Sequence, residues 1–289
     1  MVIVHLSGGI GNQMFQYAAG RALAHINGVA LKLDVTSFGR TRGNATQRQY
    51  ALGAFDIAGV FAAPEEIERL KDGEGKLVRL AKLLAGRRSR VREKHYHFDP
   101  EVLKFRGDAY LDGYWQSERY FVDIEDIIRR EFTIRVEPDE LNRKMAETIG
   151  GMESVSIHFR RGDYVSNPVV SRAIGTLPLE YYSAAVERLR AHVAHPHFFV
   201  FSDDVPWVKE NLRIGCPVTF VDHNGPDKAY EDLRLMSSCR HHIIANSSFG
   251  WWGAWLAKNP AKTVIAPLKW FARKDVDTRD LIPEKWIRI

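Results

Sequence analysis

Residues 2–34 read VIVHLSGGIGNQMFQYAAGRALAHINGVALKLD, and the order of patterns in this stretch sets the fold class. Val2 to Leu6 is an apolar run of strand length. Gly8 to Gln13 interrupts it. Met14 to His25 then places Met14, Tyr17, Ala18 and Leu23 at helical spacing. Val29 to Leu33 is a second apolar run, ending at Asp34. Strand, glycine turn, helix and strand make one βαβ unit.

Outward from this unit, residues 36–50 are polar and read as a loop. Pro64 to Leu70 opens a helix, with proline suited to its first turn. Leu77, Leu80, Leu83 and Leu84 share one face of another. Tyr110 to Gly113 reads as a strand end and Ser117 to Arg130 as a helix. A helix over Asp139 to Ile149 stops at Gly150-Gly151, where a domain boundary is expected. A second α/β series follows. Strands are predicted over Ser154–Phe159, His197–Phe201, Val218–Val221, His242–Ala245 and Thr263–Ala266. Helices are predicted over Leu179–His192, Tyr230–Ser238 and Phe249–Ala257. Two Rossmann-like α/β domains facing a cleft are expected, over residues 1–150 and 151–289.

The totals narrow the function classes. With 45% hydrophobic and 27% charged residues in 289, the chain is globular in composition. Two cysteines, Cys216 and Cys239, read as free thiols and give no zinc spacing. Met1 to Leu6 lacks the basic and apolar regions of a signal peptide, and no segment has the length and apolarity of a membrane span. A cytoplasmic protein is expected. The net charge of +5 is local: eight cations between Lys76 and Lys94 face only Glu93. A nucleic-acid partner with a broad basic face is therefore not implied. Residues 75–94 read as a solvated helix and loop, with peripheral contact at the anionic inner membrane face as the alternative.

Four constellations carry chemistry. His158-Phe159-Arg160-Arg161-Gly162-Asp163-Tyr164 follows a strand, where the ligand crevice of an open α/β sheet lies. Paired arginines there offer forked hydrogen bonds to phosphate oxygens. Asp163 can orient one of them or bind a ligand hydroxyl. A surface ion pair would use the same letters. Ala245-Asn246-Ser247-Ser248-Phe249-Gly250-Trp251-Trp252 takes a strand end into a helix, with a serine N-cap and free N–H groups facing an anion. Ser202-Asp203-Asp204 ends another strand and could bond a base or ribose. Gly8-Gly9-Ile10-Gly11-Asn12-Gln13 fits neither the dinucleotide fingerprint, since Met14 stands where the third glycine belongs, nor the P-loop. The best Asp-x-Asp, Asp275-Val276-Asp277, reads as a solvated turn, so no metal site is expected.

These segments together resemble the bacterial α-1,2-fucosyltransferases of glycosyltransferase family 11. The likeness is carried by Gly8 to Tyr17, by Gly113-Tyr114-Trp115-Gln116-Ser117-Glu118-Arg119-Tyr120-Phe121, by the His158 to Tyr164 motif, by Phe201 to Asp204 and by Ala245 to Leu256. Gly250 stands where the family usually has serine. The resemblance implies a GT-B-like fold and an inverting transfer of fucose from GDP-fucose without metal or cofactor. It also implies a glycan acceptor, commonly the 2-hydroxyl of a β-galactoside. His158, Arg160, Arg161 and Asp163 are the expected catalytic set. Asp203, Asn246, Ser247, Ser248, Phe249 and Gly11 are expected on the donor side. Asn12, Gln13 and Gln116 are expected on the acceptor side, borne by residues 1–150. Asp34, Glu118, Asp163 and His158 are candidates for the base. Another GDP-sugar or linkage, or a non-catalytic sugar-binding protein, is the alternative.

Overall fold

The computed structural model describes residues 1–39, 48–71, 89–273 and 275–289. The chain divides into two compact units. Unit 1 is Met1–Arg135 with Asp277–Leu281, and unit 2 is Val136–Val276 with Ile282–Ile289.

Unit 1 holds a parallel sheet ordered β3-β2-β1-β5-β4. Its strands are β1 (Val2–His5), β2 (Leu31–Asp34), β3 (Val60–Phe61), β4 (Arg90–Arg92) and β5 (Ala109–Asp112). The opening βαβ unit is as expected, with β1 and β2 parallel from Val2 opposite Leu31 to His5 opposite Asp34. The helix between them, Ile10–Asn27, starts four residues earlier than its apolar spacing suggests, because Gly9 serves as N-cap. Gly20 lets that helix settle on the sheet. A Cβ there would stand 3.0 Å from Val4 Cβ. Ile3, Ile67, Leu70 and Tyr110 form a buried cluster on this sheet.

Unit 2 holds a parallel sheet ordered β11-β10-β9-β6-β7-β8. These are β6 (Ser154–Phe159), β7 (His197–Ser202), β8 (Val218–Val221), β9 (His241–Ile243), β10 (Val264–Ala266) and β11 (Ile287–Arg288). The five strands expected here all form, each within two residues of its expected ends. β6 and β9 are buried along their whole length, as central parallel strands are, although one face of β6 is Ser154, Ser156 and His158, with Ser156 Oγ 2.8 Å from His242 Nδ1 of β9. Two layers cover them. Val155, Ile157, Phe198 and Val200 pack with Tyr182, Val186 and Leu189 of the helix Leu179–Arg190. Phe199 and Phe201 pack with Leu235 and Met236 of the helix Ala229–Ser238. Trp251, Trp252 and Trp255 of the helix Ser248–Leu256 are buried, and Trp286 joins Trp251 at 5.4 Å between ring centres.

Three expectations need correction. The boundary falls between Arg135 and Val136, not at Gly150-Gly151. The helix Glu140–Gly150 belongs to unit 2, because Ile149, Met145 and Ala146 pack on the Phe199–Phe201 cluster. Ser117 to Arg130 is two 3-10 turns, Glu118–Tyr120 and Val122–Ile124, before a short helix, Glu125–Glu131. Ser117 itself is the N-cap that starts the first turn, its hydroxyl accepting from Arg119 N–H. Of the basic stretch 75–94, residues 75–88 lie outside the described residues, and Arg90–Arg92 form β4 rather than helix. Among the described residues no helix is long and apolar enough to cross a membrane.

Candidate active site

β6 is the switch point of the unit 2 sheet, with β9 on one side and β7 on the other. Loops diverge there and open a crevice at the carboxyl edge. The three motifs singled out in unit 2 follow these three adjacent strands, so the sheet brings them to one place.

At the end of β6 the two arginines are held differently. Arg160 is ion-paired to Asp163 through Nη2 and to Asp203 through Nη1 at 2.8 Å. Arg161 donates Nε–H to Asp204 Oδ2 at 3.0 Å, and its guanidinium carbon lies 3.3 Å from the centre of the Trp207 ring. Its main-chain N–H reaches Asp203 Oδ1 at 2.8 Å. Asp203 therefore ties both arginines to the end of β7. Gly162 is required beside it, since a Cβ there would stand 2.5 Å from Asp203 Oδ2. Asp204 also caps the helix Val205–Asn211, accepting the Trp207 N–H at 3.4 Å. One carboxylate thus fixes both the arginine and the ring beneath it. Among the described residues the Nη atoms of Arg161 have no protein partner, which leaves a charged fork to offer.

His158 is buried at the base of this loop, its ring 5.5 Å from that of Phe249. Burial pushes its imidazolium down to about 4, with Asp203 opposing and Arg160 assisting. It is neutral at physiological pH in this fold. Its Nδ1 has no hydrogen-bond partner among the described residues. Gly250 packs against this nitrogen: a Cβ at that position would lie 2.7 Å from Nδ1.

The Asn246–Phe249 turn divides into supporting and facing parts. Asn246 is buried, and its Nδ2 donates to the carbonyls of Gly175 at 3.0 Å and Trp270 at 3.1 Å. Ser247 caps the helix Ser248–Leu256, accepting from Phe249 N–H at 3.3 Å. Ser248 and Phe249 are half-buried. One carboxylate in this unit escaped the sequence reading. Asp232, on the helix that follows β8, accepts from Asn224 Nδ2 at 2.8 Å. Burial raises its carboxyl to about 6 despite that bond. Only the acidic pair Glu231-Asp232 in a helix first turn could have signalled it.

Unit 1 places its expected residues at the carboxyl edge of its own sheet. Gln13 is fully buried and spent: Nε2 donates to Gly8 O at 3.0 Å and Gln49 O at 2.8 Å, and Oε1 accepts from Ala51 N–H at 2.9 Å. Gly11 is buried in the same turn. Gln116 donates to Asn12 Oδ1 at 2.9 Å, so these two meet across 104 residues. Asp34 is buried and accepts from Tyr110 Oη at 2.6 Å and Thr36 N–H at 2.9 Å. Burial works to raise its carboxyl, yet these bonds outweigh it and hold it low. Glu118 is half-buried in the first 3-10 turn. The sequence named Asp34 but not the polar row it joins as four neighbouring strands end: Asp34, His5, Asp112 and Arg92. His5 Nδ1 faces Asp112 at 3.6 Å, and Arg90 donates to Asp112 at 2.6 Å. The His5 bond and Arg90 outweigh burial and keep the Asp112 carboxyl well below its usual range.

Asp275 and Asp277 are taken by Arg273 and Arg279. Among the described residues no three His, Cys, Asp or Glu side chains gather as metal ligands. Both cysteines are free thiols, Cys239 being buried.

The model of glycosyl transferase family 11 matches residues 93–289. An alpha-1,2-colitosyltransferase of Escherichia coli is 34% identical over 302 residues, covering 100% of this chain and 99% of that protein. A galactoside alpha-(1,2)-fucosyltransferase 1 of Gorilla gorilla gorilla is 29% identical over 88% of this chain and 64% of its own length. The fold resembles that of NodZ alpha-1,6-fucosyltransferase, whose crystals were soaked with GDP-fucose. There the TM-score is 0.50 at 17% identity, over 90% of this chain and 96% of that one. With the family model spanning most of the chain and a relative aligned from end to end, this glycosyltransferase belongs to glycosyl transferase family 11.

Proposed function

We propose that the protein transfers L-fucose from GDP-fucose to a sugar hydroxyl, with inversion and without a metal ion, forming an α-1,2 linkage to a β-galactoside. The observation that carries this reading is the Arg160–Arg161 loop at the β6 switch point. Three aspartates and an aromatic ring hold it there, with one guanidinium fork left to offer.

The leaving group is GDP, and its β-phosphate gains negative charge as the glycosidic bond stretches. Preorganised donors aimed at that charge lower the barrier because they need no reorganisation at the moment of reaction. Arg161 supplies its Nη edge, and Arg160 the N–H groups not used by Asp163 and Asp203. Ser248 and the amino end of the Ser248–Leu256 helix add dipoles. Asp203 acts through the arginines rather than on base or ribose. The guanine base presents a row of N–H donors, and Asp232 is the half-buried carboxylate on the same sheet edge suited to accept them. Unit 1 then bears the acceptor side. This reading describes a cytoplasmic enzyme.

A second reading is favoured by the colitosyltransferase likeness: a colitosyl in place of a fucosyl donor. Colitose lacks one hydroxyl of fucose, and a site built to bond that hydroxyl rejects a sugar without it. The test is an initial-rate comparison of GDP-fucose, GDP-colitose and GDP-mannose with lactose as acceptor. Turnover on GDP-fucose, with the product linkage assigned by NMR, supports the first reading. Turnover on GDP-colitose alone establishes the second, and GDP release from neither sinks both.

A further inference from the structure

Tyr114 lies at the centre of an unusual bend at the end of β5. Trp115, though not glycine, has φ 57°, a left-handed conformation. Such a residue costs about 1–3 kcal/mol and persists only where its surroundings enforce it. Here the Glu93 carboxylate accepts the main-chain N–H of Tyr114 and of Trp115, both at 2.8 Å. Gly113 admits that carboxylate, since a Cβ on it would lie 2.4 Å from Glu93 Cβ. The Trp115 ring is buried edge-on against Tyr120, with 5.5 Å between centres.

The bend throws the intervening side chain outward. Tyr114 is 37% exposed, with its ring within 10° of parallel to that of Tyr96 and 6.4 Å from it. Two polar residues come from the same strand ends: Arg92 pairs in register with Asp112, two residues before Tyr114, and Gln116 follows Tyr114 by two. Gln116 spends Nε2 on Asn12, and its Oε1 has no partner among the described residues. Arg92 gives Nε to Asp112 at 3.3 Å, and its Nη atoms likewise have no partner among those residues.

We propose that the Glu93-braced bend is a pyranose-binding platform for the acceptor sugar, with Tyr114 as its stacking face and Arg92 and Gln116 reading ring hydroxyls. It rests on the transferase reading above and gives that reading an acceptor subsite. A pyranose has one face of C–H groups and a rim of hydroxyls, which an aromatic plate beside a guanidinium and an amide oxygen matches. The charge pattern separates a neutral sugar from an anionic ligand. Arg90 and Arg92 share Asp112, and Glu93 follows Arg92 in the chain, so two cations meet two carboxylates and little net positive charge is left for a phosphate. The strain at Trp115 is what a fold retains to aim a neighbouring side chain.

The test is kinetic, with methyl β-galactoside as the probe at saturating GDP-fucose. Tyr114→Ala is expected to raise the acceptor KM roughly tenfold, while Tyr114→Phe stays near wild type. Hydrolysis of GDP-fucose without acceptor, and its KM, stay unchanged in both. An unaltered acceptor KM in Tyr114→Ala, or an equal rise in the KM of both substrates, overturns the platform. Should wild type fail to turn over GDP-fucose, the transferase reading fails on its own. Saturation-transfer NMR of the same galactoside then decides the platform: signal lost in Tyr114→Ala but kept in Tyr114→Phe supports it, and signal equal in all three overturns it.

Discussion

The guanidinium of Arg161 lies 3.3 Å from the centre of the Trp207 ring, and Asp204 holds its Nε from the side. A planar cation stacked on an aromatic face is fixed in two directions, and the remaining direction points its Nη edge outward. Arg161→Lys keeps the charge and loses both fork and stack. It is expected to lower kcat about a hundredfold. Trp207→Leu should cost about tenfold in the wild-type background and almost nothing further in the Arg161→Lys background. Full additivity in that double-mutant cycle would show that the ring does not act through the arginine.

Gly250 offers a test of packing. A Cβ there would meet His158 Nδ1 at 2.7 Å and Ile244 Cβ at 3.4 Å. Alanine gains about 1 kcal/mol of helix propensity over glycine, whereas overpacking a tight core costs about 1–3 kcal/mol. With a buried ring and the side chain just past β9 both in the way, crowding should win. Gly250→Ala is expected to be less stable than wild type in urea denaturation. Gly250→Ser suffers the same crowding but brings a hydroxyl to an imidazole nitrogen that lacks a partner, so it should recover part of the loss. Serine no better than alanine would mean that Nδ1 gains nothing from a partner.

The pH dependence of stability follows from two groups of opposite sign. His158 titrates near 6.5 when unfolded and at about 4 in the fold. Between those values the unfolded chain binds the extra proton, so this group makes stability fall as pH drops from 6.5 to 4. Asp232 titrates at 3.8 when unfolded and at about 6 in the fold. Between these values the folded chain binds the extra proton, so this group makes stability rise as pH drops from 6 to 3.8. The two slopes oppose each other. Asp232→Asn removes the second, and its Tm is expected to fall more steeply than that of wild type from pH 6 to pH 4. Parallel Tm curves would place the Asp232 carboxyl at its ordinary value.

Metal independence is tested by chelation. With two arginines offered to the diphosphate, excess EDTA should leave the transfer rate within about twofold of the untreated enzyme. Loss of activity with EDTA and its return on adding Mn²⁺ would assign the charge on the leaving group to a cation instead.

Much of the fold was legible along the chain because its signals are local. Apolar runs of strand length, helical spacing and the polar letters where strands end all lie within a few neighbouring residues. They located β1, β2 and the five strands β6 to β10, together with every motif at their carboxyl ends. The edge strands β3, β4 and β11 escaped, since two or three residues carry no period and gain their identity only from the strand they pair with.

Which side chains of those motifs face a ligand was decided by tertiary structure alone. Arg161 meets Asp203 and Asp204 from 42 and 43 residues away, and Gln116 meets Asn12 from 104. Gln13 and Asn246 read as ligand-facing amides, but the packed chain spends their NH2 groups on its own carbonyls. Residues 277–281 return to unit 1, where Ser117 donates to Asp280 O at 2.7 Å. A polar side chain has the same letter whether its bonds are internal or on offer. The sequence by itself determined where strands end and which chemistry gathers at their edges, and only the three-dimensional pairing of donors with acceptors decided which groups are left to bind.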